Sequence, residues 1–363
     1  MRLFDRAAMP LLFSLDPERA HALSIAALKS GLPICPMPPA ASPRLAVEVA
    51  GLHFPNPIGL AAGYDKNAEV PHEVLRLGFG FTECGTVTPR PQEGNAKPRL
   101  FRLKSNRAVI NRLGFNNEGH AAALARLRGG SGRNGIIGIN IGANRDSNDR
   151  IADYEQGVRA FAGIASYLTV NISSPNTAGL RDLQGRESLS MLLSCVMKVR
   201  EEEASRNGRR VPLFLKIAPD LSEDDLADIA AEVIGKKVEG LIVSNTTLAR
   251  TGLDDPSAGE AGGLSGEPLF ERSTIVLAKM RRLVGPDLPI IGVGGVHSTE
   301  TALEKLRAGA DLVQLYTGMI FEGPGLAARI VRGLDAYAAE QGLSSIAQIR
   351  DAGVEQWATR PLN

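Results

Sequence analysis

The sequence predicts an α/β fold: a closed (β/α)8 TIM barrel preceded by a small N-terminal helical domain. Eight short apolar segments alternate with helical patterns along most of the chain. Each segment is apolar nearly throughout, as a parallel strand covered on both faces should be. At 363 residues the chain is long for one ordinary domain but suits one barrel with an appendage.

Residues 1–45 stand apart from the alternation, and residues 46–363 contain it. Leu3–Phe13 and Pro17–Gly31 both carry helical patterns. Asp16 is placed to cap the second, with Pro17 at its first position and Glu18 in its first turn. Gly31 and Pro33 end it, and the proline-rich Pro33–Pro43 reads as an extended linker. This unit has two readings: a helical cap packed on the main domain, or short amphipathic helices lying on a membrane surface or lining an apolar channel.

Val47–Pro57 reads as a hairpin turning near Gly51. The eight strands follow at Ile58–Ala62, Phe79–Val87, Ile136–Ile141, Tyr167–Ser173, Val211–Ile217, Leu241–Asn245, Ile290–Val293 and Leu312–Tyr316. Helical patterns include Ala121–Arg128, Ser188–Ser205, Glu223–Ile234, Ser273–Leu283, Thr299–Ala308 and Pro324–Glu340. Two connections, Val87–Phe115 and Thr246–Pro268, are long and read as structureless. In a barrel both lie over the C-terminal face, where active sites are built.

Composition narrows the function. A net charge of +1 gives no ground for a nucleic-acid partner. Cys35, Cys84 and Cys195 are far apart, and no CxxC or Cys/His cluster exists, so no metal site is expected. The sparse, odd set fits a reducing compartment. No apolar run approaches the roughly 20 residues needed to span a bilayer. Asp5 interrupts the N-terminal apolar stretch, which argues against a signal peptide. A cytoplasmic protein is expected, with any membrane contact at the surface.

The strand ends carry the chemistry. Tyr167–Thr177, YLTVNISSPNT, begins as a buried strand and ends in hydroxyls and amides. Pro175 cannot donate to a ladder, so the chain leaves the sheet there. Ala62 and Gly63 end the first strand and let a flat ligand approach, with Lys66 supplying charge. Thr86 ends the second strand, Asn140 the third, Asn171 the fourth, and Ser244-Asn245-Thr246 the sixth. Asn111-Arg112-Leu113-Gly114-Phe115 closes the first long connection. Any one of these asparagines is an ordinary turn former; their concentration on one rim is less easily explained that way.

Lys216 ends the apolar fifth strand, and its bland explanation is an ion pair, for instance with Asp220. Glycines at Gly262–Gly266 and Gly292–Gly295, with Tyr316-Thr317-Gly318, suit a phosphate held by backbone N–H groups after strands seven and eight. A phosphate seat, one deep lysine and a ring of amides fit flavin mononucleotide, FMN. Lys216 would then stabilise negative charge on the reduced ring, and Lys66, Asn111, Asn171, Asn176, Asn245 and Thr246 would meet the substrate.

These stretches resemble a known family. They are AAGYDKN at 61–67, GTVTPRPQEGNAKPRLFRL at 85–103, INRLGFNN at 110–117, NISSPNTAGLRDLQG at 171–185, KIAPDLS at 216–222, SNTTL at 244–248, GGLSG at 262–266 and IIGVGG at 290–295. Together they resemble dihydroorotate dehydrogenase, and LDPERAH at 15–21 resembles the N-terminal helical domain of its class 2, quinone-dependent, membrane-associated form.

The resemblance implies oxidation of dihydroorotate to orotate in de novo pyrimidine (UMP) biosynthesis, with FMN taking the hydride and a quinone as final acceptor. It implies Ser174 as the base that removes the C5 proton, where the soluble classes carry cysteine. A serine is a poor base at neutral pH, so a relay through water near Thr177 and Phe115 is expected, in a site closed by the loop Ala178–Gly185. It places FMN contacts at Ala62, Gly63, Thr86, Asn140, Asn171, Lys216, Ser244, Gly266, Gly295, Tyr316 and Thr317. Substrate contacts fall on Lys66, Asn111, Arg112, Leu113, Gly114, Phe115, Asn171, Asn176, Asn245 and Thr246. His21, Arg102 and Tyr316 match polar positions of the quinone route. No further protein subunit is implied, and the location is the cytoplasmic side of the cell membrane, held peripherally by the N-terminal helices.

Rival functions predict different observations. A Schiff-base aldolase with Lys216 as nucleophile would be trapped by borohydride and would not be yellow. A dihydrouridine synthase would need a basic RNA-binding surface. A non-catalytic phosphate-ligand barrel leaves Ser174, Lys66 and the asparagine ring without a purpose.

Overall fold

A computed structural model describes residues 12–31, 39–130 and 134–362. Most of the expected helix Leu3–Phe13 and of the linker Pro33–Pro43, with Cys35, lies outside these residues.

The chain enters through helix α1 (Pro17–Lys29). Asp16 caps it as expected, its carboxylate accepting the N–H groups of Glu18 at 3.1 Å and Arg19 at 3.0 Å. The helix buries Ala20, Ile25 and Leu28, and the last two join the same hydrophobic core as the barrel. A hairpin follows, β1 (Val47–Val49) and β2 (Leu52–Phe54), paired antiparallel.

Eight parallel strands then close a barrel. In order around it they are β3 (Ile58–Leu60), β4 (Phe81–Val87), β7 (Ile136–Ile141), β8 (Tyr167–Asn171), β9 (Leu213–Ile217), β10 (Gly240–Val243), β12 (Ile290–Val293) and β13 (Leu312–Leu315). The ring closes where Val313 pairs with Ile58. The helices between them are α2 (Pro71–Leu75), α3 (Gly119–Gly129), α4 (Arg150–Phe161), α5 (Arg186–Asn207), α6 (Glu223–Gly235), α7 (Phe270–Val284), α8 (Thr299–Arg307), α9 (Thr317–Glu322) and α10 (Leu326–Glu340). A last helix, α11 (Val354–Ala358), lays Trp357 against Phe270 of α7, ring centroids 6.2 Å apart.

Large and small residues alternate across the strands so that the barrel fills. Phe54, Phe81, Tyr167 and Phe214 form an edge-to-face series with centroids 5.1, 6.4 and 5.3 Å apart. Each strand ring faces a glycine on a neighbouring strand: a Cβ at Gly59 would lie 2.3 Å from Phe81, at Gly138 2.1 Å from Tyr167, and at Gly240 2.3 Å from Phe214. The interior is therefore a packed core and any site is pushed to the mouth.

Two expectations need correction. The long connections are not structureless: β5 (Leu100–Leu103), β6 (Ala108–Asn111) and β11 (Gly263–Gly266) form one antiparallel sheet. It has its own small core of Leu103, Ala108, Ile110 and Leu264. No turn signal links β6 to β11 in sequence, because their pairing is made only when the barrel brings the two connections together. The strand ends were also drawn too far. The first, fourth, sixth and eighth strands end at Leu60, Asn171, Val243 and Leu315, and residues beyond those ends leave the ladder to line the mouth, while the fifth starts only at Leu213.

Candidate active site

The strand ends and the sheet over them enclose a cleft of about 1220 Å3, its open side included. Ala62, Gly63 and Lys66 after β3, Thr86 in β4, and Asn171, Ser174 and Asn176 at the end of β8 line it. Lys216 of β9, Ser244, Asn245 and Thr246 after β10, Gly266 of β11, Gly295 after β12, and Tyr316 and Thr317 after β13 complete the ring. Asn111, Leu113, Gly114 and Phe115 close it from the β6 side.

A continuous set of hydrogen bonds fixes the amides. Asn245 Nδ2 donates to Ser173 Oγ at 2.9 Å, and Ser173 Oγ donates to Asn171 Oδ1 at 2.8 Å. Asn171 Nδ2 donates to Thr86 Oγ1 at 2.9 Å, and Thr86 Oγ1 donates to Asn140 Oδ1 at 2.6 Å. Asn140 Nδ2 then donates to Glu83 Oε1 at 2.7 Å. The second oxygen of Glu83 accepts from Tyr167 at 3.0 Å and Gln314 at 2.9 Å. Each amide thus has one settled orientation, since a flip would break two links. Asn140 stands behind Thr86 and outside the cleft wall.

Ser174 is 5% exposed and faces the cleft, its Oγ accepting the Asn176 N–H at 3.2 Å. Asn176 Nδ2 reaches Asn111 Oδ1 at 3.3 Å. Arg181 braces this corner: it donates to the carbonyls of Ser173 and Thr246, both at 3.0 Å, and pairs with Asp220 at 2.9 Å. Arg150 donates to the carbonyls of Ala178 and Gly179 at 2.5 Å each, which holds the loop beyond Ser174.

Two lysines face the cleft, and neither ammonium has a hydrogen-bond or ion-pair partner among the described residues. Asp220 is not the partner of Lys216; Arg181, Arg272 and the Thr247 hydroxyl occupy it. Burial lowers the Lys216 pKa, and the charge of Glu83 opposes the shift. Burial also lowers Lys66, to about 8, with Glu18 opposing. The Thr246 hydroxyl and Asn116 Oδ1, both on the cleft wall, are buried without partners as well. Buried polar groups are rarely left so, and a polar ligand would satisfy all four.

Other expected site residues sit elsewhere. The Arg112 side chain turns from the cleft to Glu260 at 2.7 Å and covers the Phe101 ring. Arg102 donates to the carbonyls of Phe13 at 3.2 Å and Leu15 at 3.1 Å, fastening the segment before α1. His21 and Tyr316 do meet, with 3.4 Å between Nδ1 and the phenol oxygen. Burial, and then the charge of Lys66, hold His21 down to about 3, so it is neutral at ordinary pH. Tyr64 stacks edge-on to both rings and donates to Ser24 of α1 at 3.0 Å. A second, charged cleft adjoins the first, between α1 and the mouth, lined by Glu18, His21, Lys97 and Arg99. Lys66, Leu100, Leu113, Asn116 and Tyr316 belong to both.

Glu83, Arg99 and Arg181 were not singled out from sequence. Glu83 had a signal, a carboxylate inside a strand that is otherwise closed to water. Arg99 and Arg181 look like ordinary loop arginines until their partners converge.

Known proteins bear on this arrangement. The family model described as dihydroorotate dehydrogenase matches residues 44–337. A dihydroorotate dehydrogenase (quinone) of Chelativorans sp. is 71% identical over 362 residues, covering 100% of this chain and 99% of that one. One of Agrobacterium fabrum is 64% identical, covering 99% of each. Among solved structures, the Eimeria tenella enzyme in complex with ferulenol superposes with a TM-score of 0.88 at 38% identity, covering 93% of this chain and 95% of that one. A barrel of this topology, a mouth built this way and identity at this level over the full length place the chain in the dihydroorotate dehydrogenase family.

Proposed function

We propose that the protein oxidises dihydroorotate to orotate, a step of pyrimidine biosynthesis, with a membrane quinone as final electron acceptor and FMN as resident cofactor. Two curated relatives that match nearly the whole chain carry the quinone-dependent name. The single observation that carries the site is the pair of unpartnered lysines facing one cleft whose amides are held in fixed orientations.

The residues fit a flavin nucleotide. Gly294, Gly295 and Val296 line the cleft and their N–H groups donate to no acceptor among the described residues, which suits the phosphate. Lys216 and the amide of Asn171 suit the polar edge of the ring, with Ala62, Gly63, Thr86, Ser244, Gly266, Tyr316 and Thr317 around them. Asn140 acts from behind Thr86. When bound, FMN supplies the acceptor for the hydride leaving C6 of the substrate.

Lys66, Asn111, Asn176, Asn245 and Thr246 hold the substrate, with Leu113, Gly114 and Phe115 over it. Arg112 contributes only backbone, its side chain being engaged by Glu260. Ser174 removes the C5 proton. Asn176 N–H steadies its oxygen, and Arg181 fixes the backbone on either side of the mouth. Thr177, itself buried, and Phe115 are suited to hold a relay water.

Residues 1–45 serve quinone access and 46–363 form the catalytic barrel. His21 and Tyr316 line the route, and Arg102 secures the segment before α1. Leu23 of α1 is 52% exposed, which suits a helix resting on a membrane. No helix among the described residues is long and apolar enough to cross one. The proposed place is the cytoplasmic side of the cell membrane, as a peripheral protein without a required subunit.

The test is turnover of dihydroorotate with quinone, fumarate or NAD as sole acceptor. Quinone alone should support it, and removal of residues 1–40 should abolish most of that turnover while flavin stays bound. Activity with NAD alone would overturn the quinone assignment. Ser174→Ala should lose roughly 10²–10⁴-fold in turnover at neutral pH. Near wild-type turnover in that variant would remove Ser174 from its role.

A further inference from the structure

Lys305 of α8 is fully buried and takes no part in the cleft wall. Its Nζ donates to Ser273 Oγ at 2.7 Å and stands 5.1 Å from the Phe270 ring centroid. No carboxylate pairs with it among the described residues, and burial drives it well below the ordinary lysine range. An amine kept in the core without a counter-charge is costly, and a methionine would fill similar space without that cost.

What Lys305 touches suggests a task. Ser273 Oγ lies 3.2 Å from the Gly294 carbonyl oxygen and 3.1 Å from that of Phe270. His297 Nδ1 lies 2.8 Å from the Gly295 carbonyl oxygen. Both carbonyls of the turn after β12 therefore lie within reach of side chains that do not line the cleft, the single Ser273 proton being shared between Gly294 and Phe270. Gly294, Gly295 and Val296 line the cleft, and their N–H groups have no acceptor among the described residues. The turn is seated directly on the start of α7: a Cβ at Gly295, where φ is +73°, would come within 2.4 Å of Phe270 Cβ. Rotating the Gly294 peptide by half a turn would put an oxygen where an anion needs a donor.

We propose that Lys305 is a positioning residue for a phosphate monoester: through Ser273 it keeps the Gly294 carbonyl out of the cleft, so that the turn's N–H groups receive the phosphate of the flavin nucleotide. The proposal rests on the flavin assignment above. It concerns the phosphate alone and not the ring, and that separates it from a general packing role.

The experiment loads the full-length chain with FMN or with riboflavin, which lacks the phosphate. Release is followed on dilution as the recovery of free-flavin fluorescence. Wild type should release riboflavin much faster than FMN. Lys305→Met and Ser273→Ala should each release FMN about tenfold faster, the loss of one hydrogen bond in the relay, with riboflavin release unchanged. The double variant should be no worse than either single one, since both cut the same chain of contacts. Equal acceleration for both flavins, or none for FMN, would overturn the proposal. Should Lys305→Met not fold, Ser273→Ala decides by the same two rates, because it removes only the relay hydroxyl. A wild type that retains neither flavin would bring down the flavin assignment itself. A wild type that prefers FMN with indifferent variants would bring down this proposal alone.

Discussion

Two lysines look into the same cleft from unlike surroundings. Lys216 stands on a barrel strand, and its charged neighbour is Glu83, which is locked by Asn140, Tyr167 and Gln314. Lys66 stands on a loop at the junction with the second cleft, and its charged neighbours are Glu18 of α1 and Arg99, followed by Asp65 and Glu69. Glu18 pairs with Arg99 at 2.9 Å and approaches Lys97 at 3.5 Å. The first lysine sits in a rigid, dry frame suited to charge that develops during reaction. The second sits where α1 meets the mouth, and its charge is set by burial, which lowers it, and by a carboxylate on a helix outside the barrel, which opposes. The lesson is that burial alone does not define a lysine's role; the rigidity of its counter-charge does.

Of the two lysines, the larger effect should come from Lys216→Ala, which removes a cation from where charge accumulates. Turnover should fall about 10²–10³-fold even at saturating substrate, in a stopped-flow measurement of flavin reduction. A change in KM alone would place Lys216 with the substrate and erase the contrast. Lys66→Ala should leave flavin bound and raise the KM for dihydroorotate by roughly 10–100-fold. If that variant instead lost its flavin, the two lysines would share one task.

Acid–base behaviour sharpens the contrast. With its folded pKa near 8, Lys66 is an ammonium below that pH and a neutral amine above it. An anionic ligand favours the ammonium, so orotate binding should be flat below about pH 7 and weaken as pH rises past 8, approaching tenfold per unit. Titrating the flavin spectrum with orotate at several pH values measures this, and Lys66→Ala should abolish the dependence. The smallest effect should be that of Glu18→Gln. Losing the opposing charge should move the same midpoint to lower pH by a fraction of a unit, without altering flavin reduction at saturation. An unmoved midpoint would show that Glu18 serves only Arg99 and Lys97.

Much of this molecule was legible beforehand, for a definite reason. Strands buried on both faces are apolar nearly throughout, so polar residues near their ends, Asn171, Lys216 and Ser244 among them, could be picked out as a rim, whereas Glu83 and Gln314 inside β4 and β13 were passed over. Arg112 and Arg102 could not be placed in the same way. A long side chain has many reachable partners, and only the fold chose Glu260 for one and two carbonyls before α1 for the other. Tyr64 is a similar case: nothing local indicates that it joins Ser24 of α1 to Tyr316 of the barrel.

By itself the sequence determined the barrel, the helical N-terminal unit and the set of polar groups at the strand ends, because periodicity and burial act over a few residues at a time. Tertiary structure alone decided the sheet of β5, β6 and β11, the relay from Asn245 to Glu83 and the bracing by Arg181. The deciding contacts among them, β6 with β11, Asn245 with Ser173, Asn140 with Glu83 and Arg181 with Thr246, join residues 57 to 152 positions apart, and their pairing is settled only when closure of the barrel fixes which ends stand side by side.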